Sequence, residues 1–235
     1  MSSRTRLTFA VALDDSGRTV DLHISDPSRI AADNLALATW GSSQVLANTL
    51  HRLHVDNAKT ILELGAGTGI VGMTAAAVWH SKNVILTDLE PILPNIAASI
   101  KLNEQTLAEH GGAVEFGLLD WYDPSTLILG ASQNKVSLLD VGVILAADTV
   151  YSEEHPQLLV NVVSQRLQKS SAARFVMCYP LRIGYLDHIR DLWQRLEEAG
   201  LECCEEGREQ LDKSWDDDTP YEWCVWQWQH LKVEL

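Results

Sequence analysis

The sequence predicts an α/β fold: a mostly parallel sheet with helices on both faces, preceded by a β-hairpin and a helix. Three observations predict it. From Thr60 onward, short apolar runs alternate with longer stretches of helical spacing, the pattern of parallel strands joined by crossover helices. "VGVILAADTVY" (Val141–Tyr151) opens as an unbroken apolar run, as a central strand covered on both faces does. The last two strand-like segments have no helix between them, so they pair as an antiparallel hairpin.

Taken in order, "LTFAVAL" (Leu7–Leu13) and "TVDLHIS" (Thr19–Ser25) flank "DDSG", a turn signal between β-rich runs. "WGSSQVLANTLHRL" (Trp40–Leu53) carries apolar residues at helical spacing. "TILEL" is a strand and Gly69–His80 a helix; "NVILTD" (Asn83–Asp88) is a strand and Ile92–Asn103 a helix. "AVEFGLLDW" (Ala113–Trp121) is a strand, followed over Asp123–Val136 by a polar loop or short helix. After the Val141 strand, Pro156 sits where the first turn of a helix tolerates proline, and that helix runs to about Gln168. "ARFVMCYP" is a strand, and Tyr185–Ala199 is a helix closed by Gly200. "LECCEEGREQ" and "YEWCVWQWQ" flank the acidic loop "LDKSWDDDTP". With no linker, repeat or low-complexity tract, residues 1–235 read as a single domain: 1–53 the N-terminal hairpin and helix, 54–235 the sheet core.

Charge and composition narrow the function. A net charge of −14 repels nucleic acid on average and makes a basic protein or a cationic small molecule the more natural partner. The longest apolar runs, such as Val141–Ala147, fall far short of the roughly 18 residues that span a membrane. "MSSRTRLTFAVALDDSG" lacks the apolar core of a secretory signal, and its acids come too early for a mitochondrial presequence. Cys178, Cys203, Cys204 and Cys224 show no zinc spacing and read as buried free thiols, which suits a reducing compartment. The expectation is a cytoplasmic monomer with no membrane, nucleic acid or metal.

"ILELGAGTGIVG" (Ile61–Gly72) is the stretch that carries chemistry. Glycines directly after a strand let the backbone turn sharply and let a ligand approach it, and the following helix presents free N–H groups there. One crossover later, Asp88 ends the next strand, where an acid can accept both hydroxyls of a ribose. Two cofactor classes use this arrangement. "GTGIVG" matches the G-x-G-x-x-G pattern of NAD(P) sites, a weak signal alone. "ELGAGTG" gives an acid followed by G-x-G-x-G, the form associated with S-adenosylmethionine, in which Glu63 sets the loop or the charge that receives the ammonium.

The order "ATWGSS", "ILELGAGTGIVG", "VILTDLEPILPNI", "LLDW", "VILAADTVY" resembles the seven-β-strand (class I) S-adenosylmethionine-dependent methyltransferases. More narrowly it resembles the family-16 protein lysine methyltransferases, over roughly Leu35–Arg182. The resemblance implies a Rossmann-like seven-stranded sheet ordered 3-2-1-4-5-7-6 with the last strand antiparallel. It implies that Trp40 covers part of the cofactor, that Gly65, Ala66 and Gly67 give backbone to it, and that Asp88 takes the ribose. Leu89 then packs the adenine, Asp120 and Trp121 lie at its edge, Ala147 lines the wall, and Asp148 and Tyr151 face the methyl-transfer site. "YPLRIGY", with Arg182, is a weaker match whose roles stay open.

Several other residues have plainer readings. His155 is a weaker candidate base near the same mouth. His51 and His54 read as a solvated helix face, Asp216, Asp217 and Asp218 as a wet loop, and Trp215, Trp223, Trp226 and Trp228 as packing for the last strand. The function expected is protein-lysine N-methylation of a translation elongation factor, or of a chaperone. A small-molecule amine N-methyltransferase is the alternative. An NAD-dependent oxidoreductase is less favoured, because Tyr179, Tyr185 and Tyr221 have no Lys four residues on. An adaptor without catalysis conflicts with the intact D-x-x-Y.

Overall fold

The computed structural model describes residues 5–26, 38–53, 55, 60–130, 135–136, 141–212, 215 and 219–229. Strands β1 (Thr5–Ala12) and β2 (Thr19–Asp26) pair antiparallel as the hairpin. Helix α1 (Gly41–Thr49) follows. Then come β3 (Ile61–Leu64), α2 (Ile70–Val78), β4 (Val84–Asp88), α3 (Leu93–Glu109) and β5 (Val114–Leu118). The chain continues through β6 (Leu127–Leu129), β7 (Lys135–Val136), β8 (Val143–Ala147), α4 (His155–Arg166), β9 (Arg174–Pro180) and α5 (Leu186–Glu198). It closes with β10 (Leu201–Glu209) and β11 (Tyr221–Trp228).

The main sheet runs β10-β11-β9-β8-β3-β4-β5-β6-β7. From β9 to β5 every pairing is parallel, and β11 lies antiparallel between β9 and β10. That is the expected seven-strand order. Two short antiparallel strands, β6 and β7, extend it to nine. They lie within Asp123–Val136, expected to be a loop or short helix. Leu127 supplies the reason, because it is buried in the core beside β5.

The period-two alternation of the strands sorts side chains into two cores. Val143, Leu145 and Ala147 of β8 join Ile61, Val84 and Leu86 beneath α1, α2 and α3. Ile144 and Ala146 join Leu62, Leu64 and Ile85 against α4 and α5. The hairpin contributes Val11, Val20, Leu22 and Ile24 to the first core. Its β2 edge is satisfied by α3: Asn103 accepts the His23 N–H (2.8 Å) and donates to the His23 carbonyl (2.7 Å), and Ser99 Oγ accepts the Ser25 N–H (3.1 Å). Without those side chains the edge would offer open pairing groups.

Three sequence readings need correction. His51 is not solvated: its side chain is 5% exposed and its Nε2 lies 3.1 Å from Asp15 of the hairpin turn. Trp215 packs on Phe9 of β1, ring centroids 6.2 Å apart, rather than on the last strand. Cys178 and Cys224 are buried, but Cys203 is half-buried and Cys204 exposed, where a register shift interrupts β10 between Cys203 and Glu205. His54 and Asp216, Asp217 and Asp218 lie outside the described residues, as does the Leu35–Leu37 start of the resemblance.

Candidate active site

Strand β3 is followed by β4 on one side and paired with β8 on the other, so the topology leaves a crevice at the carboxyl ends of the parallel strands. The glycine loop after β3 fills its floor. Gly65, Gly67 and Gly69 have φ of +61°, +55° and +80°. At Gly65 a Cβ would also sit 3.2 Å from Thr149 Cγ2 and 3.3 Å from Trp121 Cζ2. Only glycine keeps that backbone both relaxed and open. The loop is tied to β4, because Ala66 N–H donates to the Thr87 carbonyl (2.9 Å) and Gly67 N–H to Asp88 Oδ2 (2.8 Å). Asp88 Oδ1 accepts the Leu89 N–H (2.7 Å).

One cleft of about 200 Å³ brings together Trp40, Gly65, Ala66, Gly67, Asp88 and Leu89 with Asp120, Trp121, Ala147, Asp148 and Tyr151. Glu63 is the predicted residue that does not line it. It is 2% exposed on β3, and its Oε2 accepts the Gly72 N–H (2.9 Å) in the first turn of α2. A Cβ at Gly72 would collide with Leu86 and crowd this carboxyl, so Glu63 and Gly72 together set how closely α2 packs on the sheet. Burial pushes the Glu63 pKa up to about 8, against the Gly72 amide that pulls it down and with the Asp88 charge that pushes it further up.

That shift gives a stability prediction. The folded pKa lies above the ordinary 4.5, so Glu63's contribution is fully present below about 4.5, lost as pH rises towards about 8, and flat above. The loss amounts to something on the order of a few kcal/mol. Thermal melts of the wild-type protein should weaken between pH 5 and 8, and those of Glu63→Gln should change less across the same window. Parallel curves would refute the assignment.

The remaining electrostatics shape the mouth. Burial raises the Asp88 pKa, opposed by the Gly67 and Leu89 amides. Asp148, directly after β8, holds φ of +55°, a conformation that costs a non-glycine residue energy and that Asp and Asn tolerate best. Its N–H donates to the Cys178 carbonyl of β9 (2.9 Å), which fixes the turn against the neighbouring strand. Tyr151 is 58% exposed; burial of the rest, then the charges of Asp88 and Asp148, raise its pKa, so it stays a neutral phenol.

The structure adds residues that sequence reasoning underweighted. His155, at the start of α4, meets Tyr151 edge-on (centroids 4.3 Å) and Trp121 edge-on (5.7 Å), linking the two ends of the cleft. Burial lowers its pKa, partly offset by a hydrogen bond to the Thr149 backbone. Thr149 Oγ1 is buried on the cleft wall and has no hydrogen-bond partner among the described residues. The Tyr122 hydroxyl donates to Glu154, bridging the loops after β5 and β8. Arg182 lies over the Trp40 ring, 5.7 Å from its centroid, which places "YPLRIGY" at the cleft. The signal for His155 was its spacing, four residues after Tyr151 across a helix start.

An open backbone cradle, a half-buried acid with lone pairs to spare and a Thr149 hydroxyl with no hydrogen-bond partner among the described residues fit a nucleoside bearing an amino-acid tail. Among the described residues no group of three or more His, Cys, Asp or Glu side chains is placed to hold a metal.

Comparisons with known proteins agree. The chain is 32% identical to the protein-lysine N-methyltransferase EFM2 of Saccharomyces cerevisiae over 217 residues, 84% of this chain and 48% of that protein. It is 30% identical to the protein-lysine N-methyltransferase rrg1 of Schizosaccharomyces pombe over 173 residues, 72% and 54% of the two chains. The chain thus spans about half the length of the curated relatives it matches. The solved structure of M. jannaschii TYW2 in complex with AdoMet superposes with a TM-score of 0.56 at 15% identity, covering 97% of this chain and 89% of that one; it shares the fold. The sequence model described as lysine methyltransferase matches residues 20–191, which include every residue of the cleft named above. The chain belongs to the lysine methyltransferase family.

Proposed function

We propose that this chain transfers methyl groups from S-adenosylmethionine to the ε-amino group of a lysine in a basic protein. The observation that carries the reading is one cleft, in a chain of this family, that holds both a glycine cradle with its acid (Gly65, Gly67, Asp88) and an acid–tyrosine pair (Asp148, Tyr151). A translation elongation factor is the leading target and a chaperone the next. The relatives' names, protein-lysine N-methyltransferases, support a protein acceptor. Residues 1–235 act as one domain, as a cytoplasmic monomer that engages neither nucleic acid nor membrane. Among the described residues no helix is long and apolar enough to cross a membrane.

Bound S-adenosylmethionine supplies an electrophilic methyl group on a sulfonium. The chain's own work is positioning and electrostatics. Each Asp88 oxygen already accepts one amide and keeps a lone pair for a ribose hydroxyl. Gly65 and Gly67 leave the backbone open, while Leu89 and Trp121 offer apolar surface for a base. An arriving lysine, pKa about 10.4 in water, must lose its proton before it can attack. Asp148 attracts and orients the ammonium, burial in the cleft lowers its pKa, and water carries the proton away. A carboxylate that held the ammonium too well would oppose that step, so Asp148 binds and orients rather than acting as a strong base. Tyr151 presents a ring and a neutral hydroxyl to the cation. His155, held neutral by burial, adds no repelling charge.

The test is incubation with radiolabelled S-adenosylmethionine and a size-fractionated lysate. Label in one protein band is the expected result, and label confined to small molecules would contradict it. The acidic loop gives a further prediction. Replacing Asp216, Asp217 and Asp218 by Asn should slow protein methylation at low salt. The difference should fade at high salt, where the Debye length shrinks from about 10 Å at 0.1 M to about 3 Å at 1 M. Equal rates in low salt would reduce the loop to solvated surface.

A further inference from the structure

Among the described residues, the exposed large hydrophobics are Leu7, Leu89, Leu102, Tyr122, Tyr151 and Ile183. Scattered single exposures need no explanation. Leu7 and Leu102 are of that kind; the other four are not scattered. Leu89, Tyr122 and Tyr151 line the cleft, at 51%, 71% and 58% exposure. Ile183, 90% exposed, stands on the turn after β9, next to Arg182, whose guanidinium rests on the cleft residue Trp40. A Cβ on the neighbouring Gly184 would meet nothing within 4 Å beyond its own chain neighbours among the described residues, so the turn faces open space at that point.

The loops that carry these side chains also carry exposed acids: Glu90, Asp120, Glu153 and Glu154. Their one base is Arg182, and it is engaged on Trp40. An apolar projection one residue from Arg182 on Trp40, with exposed acids on the loops that line the cleft, fits a basic protein surface with an apolar contact beside its lysine. Nucleic acid is disfavoured by the same acids.

We propose that Ile183 and the turn around it form the substrate-docking surface of this chain, and that its occupant is a folded basic protein that places an apolar patch on Ile183 while its lysine enters between Tyr122 and Tyr151. The inference rests on the lysine-methyltransfer reading and adds how the protein acceptor is held. Ile183 does not line the cleft, so in this proposal it acts through substrate binding alone.

The experiment uses the full chain, tritiated S-adenosylmethionine and the protein fraction of a cell extract in a dilution series, with label localised to lysine. Ile183→Asp should lower the initial rate of lysine labelling about tenfold in dilute extract, the size of a single anchor residue's contribution, and recover towards wild type as extract is concentrated. Ile183→Ser should fall in between. Leu102→Asp, at an exposed leucine on α3 that does not line the cleft, should behave as wild type. S-adenosylhomocysteine affinity by calorimetry should stay within about twofold in all three, showing that each folds and keeps its cofactor site. Wild-type labelling that both Ile183 variants reproduce across the series overturns the docking surface and leaves the lysine reading standing. A wild-type chain that binds S-adenosylhomocysteine but labels no protein lysine overturns both.

Discussion

Asp148→Asn should lower turnover by on the order of 10²-fold with cofactor saturating, while S-adenosylmethionine affinity stays within about twofold. The substitution keeps the side chain's shape and removes its charge. Asparagine also accepts the positive φ that this position imposes, so the turn after β8 should survive. What is lost is the attraction that brings an ammonium to the methyl-transfer point and aligns it. The measurement is steady-state turnover on the protein acceptor beside calorimetric binding of cofactor. Near-wild-type turnover would make Asp148 a structural turn residue that ends its strand and nothing more.

Asp88→Ala should weaken S-adenosylmethionine and S-adenosylhomocysteine alike. A hydrogen bond to a charged acceptor contributes about 1.5–3 kcal/mol, and two ribose hydroxyls are at stake. The variant also strips the Gly67 and Leu89 amides of their acceptor, which loosens the loop itself. Asp88→Asn separates the two effects, because its amide oxygen can still accept one bond. The expected order of affinity is wild type, then Asn, then Ala, with no binding of NADH by any of them. Unchanged calorimetric affinity in a folded Asp88→Ala protein would remove the ribose assignment.

Much of this architecture was legible because apolar periodicity and turn chemistry are local. The alternation of strands and helices from Thr60, the glycine loop and the final antiparallel pair all follow from patterns a few residues long. The strand order is not local; it came from resemblance, and the sheet matches it. What escaped were features decided by distant partners. Leu127–Leu129 is too short to announce a strand, and it pairs because Gly117 and Leu118 of β5 offer an edge. His51 looked solvated because its cover, the hairpin turn with Asp15, lies 36 residues away. Whether Glu63 sets the loop or the charge that receives a ligand stayed open, since its sequence position beside the glycines cannot show that its carboxyl accepts the Gly72 N–H of α2. Arg182 lay in a weaker match with no role assigned until folding set it on Trp40.

The central claim is that this cleft methylates a protein lysine. The most direct measurement is tandem mass spectrometry after incubating the purified chain with S-adenosylmethionine bearing a deuterated methyl group and purified translation elongation factors, with the protein fraction of a cell extract in parallel. The account predicts deuterated methyl on a lysine side chain of a protein, absent when Asp148→Asn replaces the wild-type chain at the same short incubation time. Deuterated methyl on a small amine, or on a residue other than lysine, would contradict it.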